Sequence, residues 1–399
     1  MLYSNLSPAA WSFSKSKELA MTIAGGKHPL CRLFCCFLLI ACLAGCQDTK
    51  AWLPGKPLDK DSIKIGILFV DAAASVGYSY AHDLGIRKTQ RALGLRDDQI
   101  LRKINVSGAE VGKVEHAMSE AIAEGANIII ATSWGHMDTC EKLASQYPNV
   151  IFANASGYKS NDTNFTNYYG RIHQARYLSG LAAGLQTKTG KIGFVAAQDK
   201  SNSEVTGGLN AFAMGVESVN PGAKVYVIVT YSWSDPAGER MAAQKLINAG
   251  CDVLAQHSDT PQPQIAAEKA GVWGIGYNAD MSREAPDAVL TSVIWNWDTY
   301  YTFLINSVID GSFTTKPYFG DLASGMVDIS PLNSALATPE MEAAVAEARE
   351  RILSGKFNVF GGVMETNDGR KIGAVGGVLS DSEISTSIDW YYRNIIEMK

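Results

Sequence analysis

The sequence predicts an α/β protein built from two doubly wound lobes, each with a mostly parallel sheet. Short apolar runs typical of buried parallel strands alternate with stretches of helical period, and this alternation stops once and then restarts. The chain has 399 residues, of which 46% are hydrophobic and 19% are charged. That apolar content is typical of a globular protein, and the length is enough for two or three domains.

The first series of elements opens with the apolar run 63–70 (IKIGILFV), which has the length of a strand covered on both faces. Within 109–124, the residues Val111, Val114 and Met118 recur at spacings of three and four, which is the period of one helix face. The predicted strands of this series are 63–70, 100–106, 127–132 and 150–154, and the predicted helices are 80–93, 109–124 and 138–146.

The second series repeats the same rhythm after a bridging stretch. Residues 191–196 (KIGFVA) and 224–230 (KVYVIVT) are again short runs rich in β-branched and aromatic residues. The predicted strands are 191–196, 224–230, 252–256, 272–277 and 289–294, and the predicted helices are 174–187, 204–219, 238–249, 263–270 and 298–309. Two such series predict two lobes, with ligands bound beyond the carboxyl ends of the strands.

The N-terminus has the pattern of an export signal. About a dozen apolar residues, 33–44, follow Lys27 and Arg32, which is short for a transmembrane helix and typical of a signal-peptide core. The run ends in Leu-Ala-Gly-Cys46, which resembles the lipobox of bacterial lipoproteins; a plain secretory signal or a short buried helix are the alternatives. We therefore expect a lipoprotein signal peptide at 1–45, lipidation of Cys46, a tether at 46–61, and a membrane-anchored protein in the periplasm or at the cell surface.

Motifs for catalysis and metal binding are missing from the sequence. No GxSxG, HExxH, CxxC or GxGxxG occurs, and the histidines lack the paired spacing of metal ligands. Residues 184–191 (GLQTKTGK) have one residue too many for a P-loop. The formal net charge of −5 does not favour a nucleic-acid partner. We predict no enzyme activity, no cofactor and no metal; a nucleotide enzyme on a Rossmann-like lobe is the competing interpretation.

Several ordered motifs resemble one family of transport proteins. They include GYSYAHDLG (77–85), ATSWGHMD (131–138), YGRIHQARYLSG (169–180) and GYNADM (276–281). Together these resemble the basic membrane protein family, the PnrA-like solute-binding lipoproteins that include purine-nucleoside receptors of bacterial ABC importers. The resemblance implies a type I periplasmic-binding-protein fold, with two lobes joined by hinge crossings and a cleft that closes on the ligand.

The resemblance also implies domain boundaries and partners. The N-terminal lobe is expected at 62–172 plus about 296–318, and the C-terminal lobe at 173–295 plus about 319–399. The implied function is that of a substrate-binding lipoprotein, which delivers a purine base or nucleoside to an ABC permease in the membrane. The alternative is a sensing subunit that presents the same ligand to a membrane receptor.

Residues that follow the predicted strands form the predicted binding site. Tyr78 stands where the family often has an aromatic ring that covers one face of a base, and Trp134 is expected to supply a second wall; packing of either ring on its own lobe is the alternative. Asn278 and Asp280 match a family position with hydroxyl-binding acids, although Asp280 equally suits a helix cap. The complete predicted set is Tyr78, Trp134, Asp138, His257, Asp259, Asn278, Asp280 and Trp295. For Arg171 and Arg176 a structural salt-bridge role is expected.

Two departures from the family pattern bear on the ligand. Many relatives have an acid where this chain has Ser75, and nucleoside binders tend to have a Lys where this chain has Trp295. Replacing a cationic, hydroxyl-binding group by an indole makes the pocket drier and more aromatic. We therefore expect a preference for a free purine base, or another flat heterocycle, over a nucleoside.

Overall fold

The computed structural model describes residues 52–72 and 75–398. The predicted signal peptide 1–45 and the first part of the tether, 46–51 with Cys46, lie outside the described residues. Within the described residues, no helix combines the length and the apolar composition needed to cross a membrane.

The first sheet has six strands, all paired in parallel. Its strands, numbered in chain order over the whole protein, are Ile65–Leu68 (β1), Ile100–Lys103 (β2), Ile128–Ala131 (β3), Ile151–Ala155 (β4), Phe165–Gly170 (β5) and Tyr318–Gly320 (β11). Their order is β11-β5-β4-β3-β1-β2. The helices between them are Tyr78–Leu93 (α1), Val111–Ala123 (α2) and Met137–Gln146 (α3).

The second sheet has seven strands and the same winding, β7-β6-β8-β9-β10, at its centre. Its strands are Lys191–Ala196 (β6), Lys224–Val229 (β7), Val253–His257 (β8), Trp273–Asn278 (β9), Val289–Trp295 (β10), Val327–Ile329 (β12) and Ile395–Glu397 (β15). Only the β10–β12 pair of this sheet is antiparallel among the described strands. Its helices are Ile172–Gln186 (α4), Ser203–Val219 (α5), Pro236–Asn248 (α6) and Gln262–Ala270 (α7). The predicted α/β class with two doubly wound lobes is confirmed.

The C-terminal part adds elements to both sheets. The added helices and strands are Trp297–Asp310 (α8), which packs on α1, Pro339–Leu353 (α9), Asp381–Thr386 (α10), Gly361–Glu365 (β13) and Lys371–Val378 (β14). The last two strands form an antiparallel hairpin. The chain thus leaves the first sheet after β5, returns to it after β10 with α8, and leaves it again after β11.

The three crossings between the sheets meet at Gly170. A Cβ on this residue would lie 2.7 Å from Trp295 Cζ3, 2.8 Å from Val327 Cγ1 and 3.3 Å from the carbonyl oxygen of Gly320. Because these distances are shorter than ordinary carbon contacts, only glycine allows the three segments to come so close. This convergence packs Trp295, at the β10–α8 crossing, against the end of β5.

Candidate ligand-binding cleft

Helix α1 begins at the edge of the first sheet and presents Tyr78 from its first residue. The sequence placed Tyr78 in a loop and started the helix at 80; the helix starts earlier because Gly77, with φ 98°, turns the chain and accepts the first helical hydrogen bond from Ala81. The Tyr78 hydroxyl donates to the carbonyl oxygen of Thr132 at 2.6 Å. This bond ties α1 to the carboxyl end of β3 and fixes the half-buried ring.

Four flat rings form a wall at the crossing between the lobes. Trp297 stacks on His82 at 4.1 Å between centroids and on Trp295 at 4.6 Å. Trp295 in turn meets Tyr169 at 5.0 Å. Both faces of Trp297 are therefore covered, and its indole is fully buried. The wall, defined as His82, Trp297, Trp295 and Tyr169, is a preformed stack of rings in which no residue is more than 8% exposed.

A buried cation lies against strands β8 and β9 of the second sheet. Arg176, from the first turns of α4, is fully buried; its guanidinium lies 4.0 Å from the centroid of the Tyr277 ring, and Nη1 donates to the carbonyl oxygen of Gln256 at 2.8 Å. Its Nε and Nη2 have no hydrogen-bond partner among the described residues. Burial lowers the pKa of Arg176 to about 10, so the side chain stays charged at neutral pH.

The salt-bridge role expected for the two arginines holds for only one of them. Arg171 forms ion pairs with Asp321 and Asp381, at 2.8 Å each. Arg176 has no carboxylate within ion-pair distance in the described part of the chain and is held instead by a ring face and a backbone carbonyl. The expectation for Arg176 is therefore wrong, because its helix turn faces the interior of the second lobe.

An acid and an imidazole face each other next to this cation. Glu204, in the first turn of α5, has Oε1 3.6 Å from Nε2 of the fully buried His257. Burial, reinforced by the charge of Arg176, lowers the pKa of His257 to about 4, so its imidazole is neutral at pH 7. A neutral imidazole has one donor nitrogen and one acceptor nitrogen, so His257 can pair with either kind of group.

Asp259 and Asn278 form a second polar pair at the ends of β8 and β9. Asn278 Nδ2 donates to Asp259 Oδ1 at 2.7 Å, while Asn278 Oδ1 is buried and has no partner among the described residues. Asn278 also has φ 70°, a strained conformation for a residue other than glycine. Burial raises the pKa of Asp259 to about 8, and the nearby charges of Glu239, Asp71 and Glu204 act in the same direction.

The loop before α1 closes onto the second lobe. Ser75 Oγ donates to Glu284 Oε1 at 3.1 Å, and Val76 packs in an apolar cluster whose other buried members come from the second lobe. A Cβ on Gly77 would lie only 2.6 Å from the carbonyl oxygen of Asp259. Residues of both lobes are therefore in direct contact across the cleft, which is the arrangement of a closed binding protein.

Five of the eight residues predicted as a site come together around the cleft: Tyr78, His257, Asp259, Asn278 and Trp295. The other three lie elsewhere. Trp134 is 59% exposed in a short 3-10 turn, Asp138 pairs with Lys159 at 2.8 Å, and the Asp280 carboxylate accepts from the backbone N–H of Ser282 at 2.9 Å. Asp138 and Asp280 therefore have local surface roles, and neither caps a helix.

Several groups of the cleft were not identified from the sequence: His82, Tyr169, Glu204, Tyr277 and Trp297, and the position of Arg176. Tyr277 ends the predicted strand 272–277 and Trp297 follows the predicted strand 289–294, so the strand-end rule gave a signal for them, whereas Glu204 begins the predicted helix 204–219. The inward direction of Arg176 and His82 depends on how their helices pack, which no local pattern encodes.

Comparison with known proteins agrees with this architecture. The family described as "ABC transporter substrate-binding protein PnrA-like" matches residues 62–356. A purine-binding protein of Brucella abortus is 30% identical over 358 residues, which cover 90% of this chain and 98% of that protein. A putative ABC transporter glucose-binding protein of Haloferax volcanii is 32% identical over 315 residues, covering 79% and 78% of the two chains.

Solved structures show the same fold. An ABC transporter solute-binding protein from Conexibacter woesei superposes with a TM-score of 0.63 at 18% identity, covering 74% of this chain and 98% of that one. At this identity the likeness concerns the fold alone, and it supports the type I arrangement of two lobes. With the family match over 62–356, these findings show that the chain belongs to the PnrA-like family of ABC transporter substrate-binding proteins, which are solute-binding proteins of importers and not enzymes.

Proposed function

We propose that this substrate-binding protein carries a purine, as the free base in preference to the nucleoside, in the cleft between its lobes. The observation that carries the proposal is the wall of His82, Trp297, Trp295 and Tyr169, which adjoins groups that both donate and accept hydrogen bonds, since Trp295 bonds to the Tyr277 hydroxyl and Tyr277 packs on His257. Flat rings beside a few convergent polar groups suit a planar heterocycle. The purine-binding relative from Brucella supports the same ligand class.

The preference for the base over the nucleoside rests on Trp295. Its ring is only 3% exposed, lies between Trp297 and Tyr169, and donates from Nε1 to the Tyr277 hydroxyl at 3.3 Å. A packed indole at this position leaves neither the charge nor the space of a lysine ammonium for sugar hydroxyls. We therefore expect the ribose of a nucleoside to find fewer partners here than the base does.

Ligand delivery follows from closure of the lobes. A ligand that contacts Tyr78 from the first lobe and the Asp259–Asn278 pair from the second is bound more tightly by the closed state, and this difference in affinity drives closure. A permease that recognises the closed form then receives only loaded protein. No covalent step is needed.

Calorimetry on ligand-free protein tests the proposal. We expect adenine, hypoxanthine or guanine to bind at least about tenfold tighter than its nucleoside, which corresponds to about 1.4 kcal/mol. Trp295→Leu is expected to reduce this preference, whereas Trp134→Leu, which alters an exposed ring, is expected to leave it unchanged. Binding of nucleosides tenfold tighter than bases, or of D-glucose alone, contradicts the proposal.

Lipid anchoring at Cys46 is the second part of the proposal, and it is supported by the Leu-Ala-Gly-Cys pattern after an apolar run. In cells, the mature protein is then expected to begin at Cys46, to carry lipid and to fractionate with membranes. Cys46→Ala should release it from the membrane fraction. Intact-mass measurement of the mature protein gives the cleavage position, and an unmodified N-terminus at another residue contradicts this assignment.

A further inference from the structure

The Asp259–Asn278 pair holds a buried acceptor in a fixed orientation. The Asn278 amide is oriented, because its Nδ2 donates to Asp259 Oδ1 at 2.7 Å and its Oδ1 is thereby turned away. That Oδ1 is completely buried and has no partner among residues 52–72 and 75–398. A buried acceptor with no donor is costly, so a ligand N–H that reaches it is favoured.

The strained backbone of Asn278 holds this acceptor in place. Its φ of 70° lies in the left-handed region, which asparagine tolerates better than most residues. Asp259 is held as well, since its N–H donates to the Trp233 carbonyl oxygen at 2.8 Å, and its own carbonyl oxygen would lie 2.6 Å from a Cβ on Gly77 of the other lobe. The pair is therefore fixed at the contact between the lobes, next to the Tyr78 ring that follows Gly77.

We propose that the Asp259–Asn278 pair reads the edge of a 6-aminopurine, with Asp259 donating to ring N7 and Asn278 Oδ1 accepting from the 6-amino group. This rests on the proposed purine function and narrows it to adenine-like bases. A 6-oxopurine presents two acceptors, O6 and N7, on the same edge. Its O6 then faces Asn278 Oδ1, which makes two acceptors meet in a buried site.

The donor role of Asp259 depends on its proton. Its pKa of about 8 means that the carboxyl group is mostly protonated at pH 7, and only the protonated form donates. The charged or titratable groups that act on it come from both lobes: Asp71, Tyr78, Glu204, Glu239 and Tyr277. The carboxylates among them favour the neutral acid, whereas the hydrogen bond from Asn278 favours the ionised form and is outweighed by burial. Loss of the proton removes the donor, so adenine affinity falls by about tenfold between pH 7 and pH 9.

Ligand analogues test the inference on the unaltered protein. We expect adenine to bind at least about tenfold tighter than hypoxanthine, and 7-deazaadenine, which lacks the N7 acceptor, to bind about tenfold more weakly than adenine. Equal affinities for adenine and 7-deazaadenine, or tighter binding of hypoxanthine, overturn the inference while the proposed function stands. If no purine binds at all, the proposed function fails and the inference fails with it.

Variants separate recognition from folding. Asp259→Asn replaces the titrating donor by an amide N–H, so the adenine preference is expected to persist while the loss between pH 7 and pH 9 disappears. Asp259→Ala removes both the donor to N7 and the carboxyl group that orients the Asn278 amide. The preference for adenine over hypoxanthine is therefore expected to be lost at every pH. Asp280→Asn, in the exposed turn after β9, is the control and is expected to match the parent. An unchanged pH profile in Asp259→Asn, in protein whose thermal unfolding is normal, overturns the role of Asp259.

Discussion

Closure of the cleft depends on Gly77, and replacing it by alanine is expected to weaken ligand binding. In the closed structure, the new Cβ lies 2.6 Å from the Asp259 carbonyl oxygen, so the lobes must separate locally by about 0.8 Å to restore an ordinary contact. Overpacking of this kind costs about 1–3 kcal/mol. Because the open state escapes the clash, most of that cost is expected in the ligand affinity, which falls about 5- to 150-fold.

The backbone conformation of Gly77 adds a cost that needs its own control. With φ 98° and ψ −176°, it lies in a region that is essentially restricted to glycine, and a side chain there costs about 1–3 kcal/mol in any state. Gly94, which follows the last residue of α1, also has a positive φ (63°). A Cβ on Gly94 would have Lys60 Nζ as its nearest neighbour, at 3.8 Å, so it would meet no clash. Gly94→Ala therefore introduces backbone strain without affecting the contact between the lobes. It is expected to lower thermal stability and to leave ligand affinity unchanged.

Calorimetry with the tightest-binding purine and thermal unfolding measure both variants. We expect Gly77→Ala to reduce the affinity while Gly94→Ala leaves it within about twofold of the parent. If the affinity of Gly77→Ala stays within the same twofold range, the contact between Gly77 and Asp259 does not limit ligand binding.

Three further predictions concern single contacts. Tyr78→Phe removes the hydroxyl bond to the backbone but keeps the ring, so it should cost about 1 kcal/mol of unfolding free energy in denaturant titrations and leave base binding largely intact. Asp381→Asn weakens the paired bonds from the Arg171 guanidinium; because these groups are about one-third exposed, unfolding should shift by less than about 1 kcal/mol. Burial raises the pKa of Cys251 to about 12 and that of Cys140 above its usual range, and both are free thiols, so each is expected to react with a thiol reagent only after unfolding.

The central strands were predictable because a strand that is buried on both faces has a nearly continuous run of apolar residues. β1, β3 and β6 are nearly continuous apolar runs, and they lie within or close to the predicted ranges. β5 (FTNYYG) was not predicted because it contains polar residues. All six of its residues are nevertheless buried, and some of their polar groups find partners inside the protein. Asn167 Nδ2, for example, donates to the carbonyl oxygen of Lys159. Three short strands after residue 310, β11, β12 and β15, have three residues each. This is too few to show the alternation of apolar and polar residues that is typical of a strand.

The site was predictable where it follows from strand ends and not where it follows from packing. His257, Asp259 and Asn278 lie at or just after the ends of β8 and β9, where an open α/β sheet binds ligands. Arg176 was misassigned because its sequence gives no sign that the helix turns it inward, onto Tyr277. Trp134 obeys the same strand-end rule, but the 3-10 turn after β3 leaves it exposed. Tertiary packing, which no local pattern encodes, decides between these outcomes.

The most direct test of the central claim is a crystal structure of the protein grown with adenine. We expect one base in the cleft, with its ring against Tyr78 and the aromatic wall, its N7 accepting from Asp259 and its 6-amino group donating to Asn278. Stoichiometric binding in solution together with density for the base outside the cleft, or with its edge turned away from this pair, contradicts it.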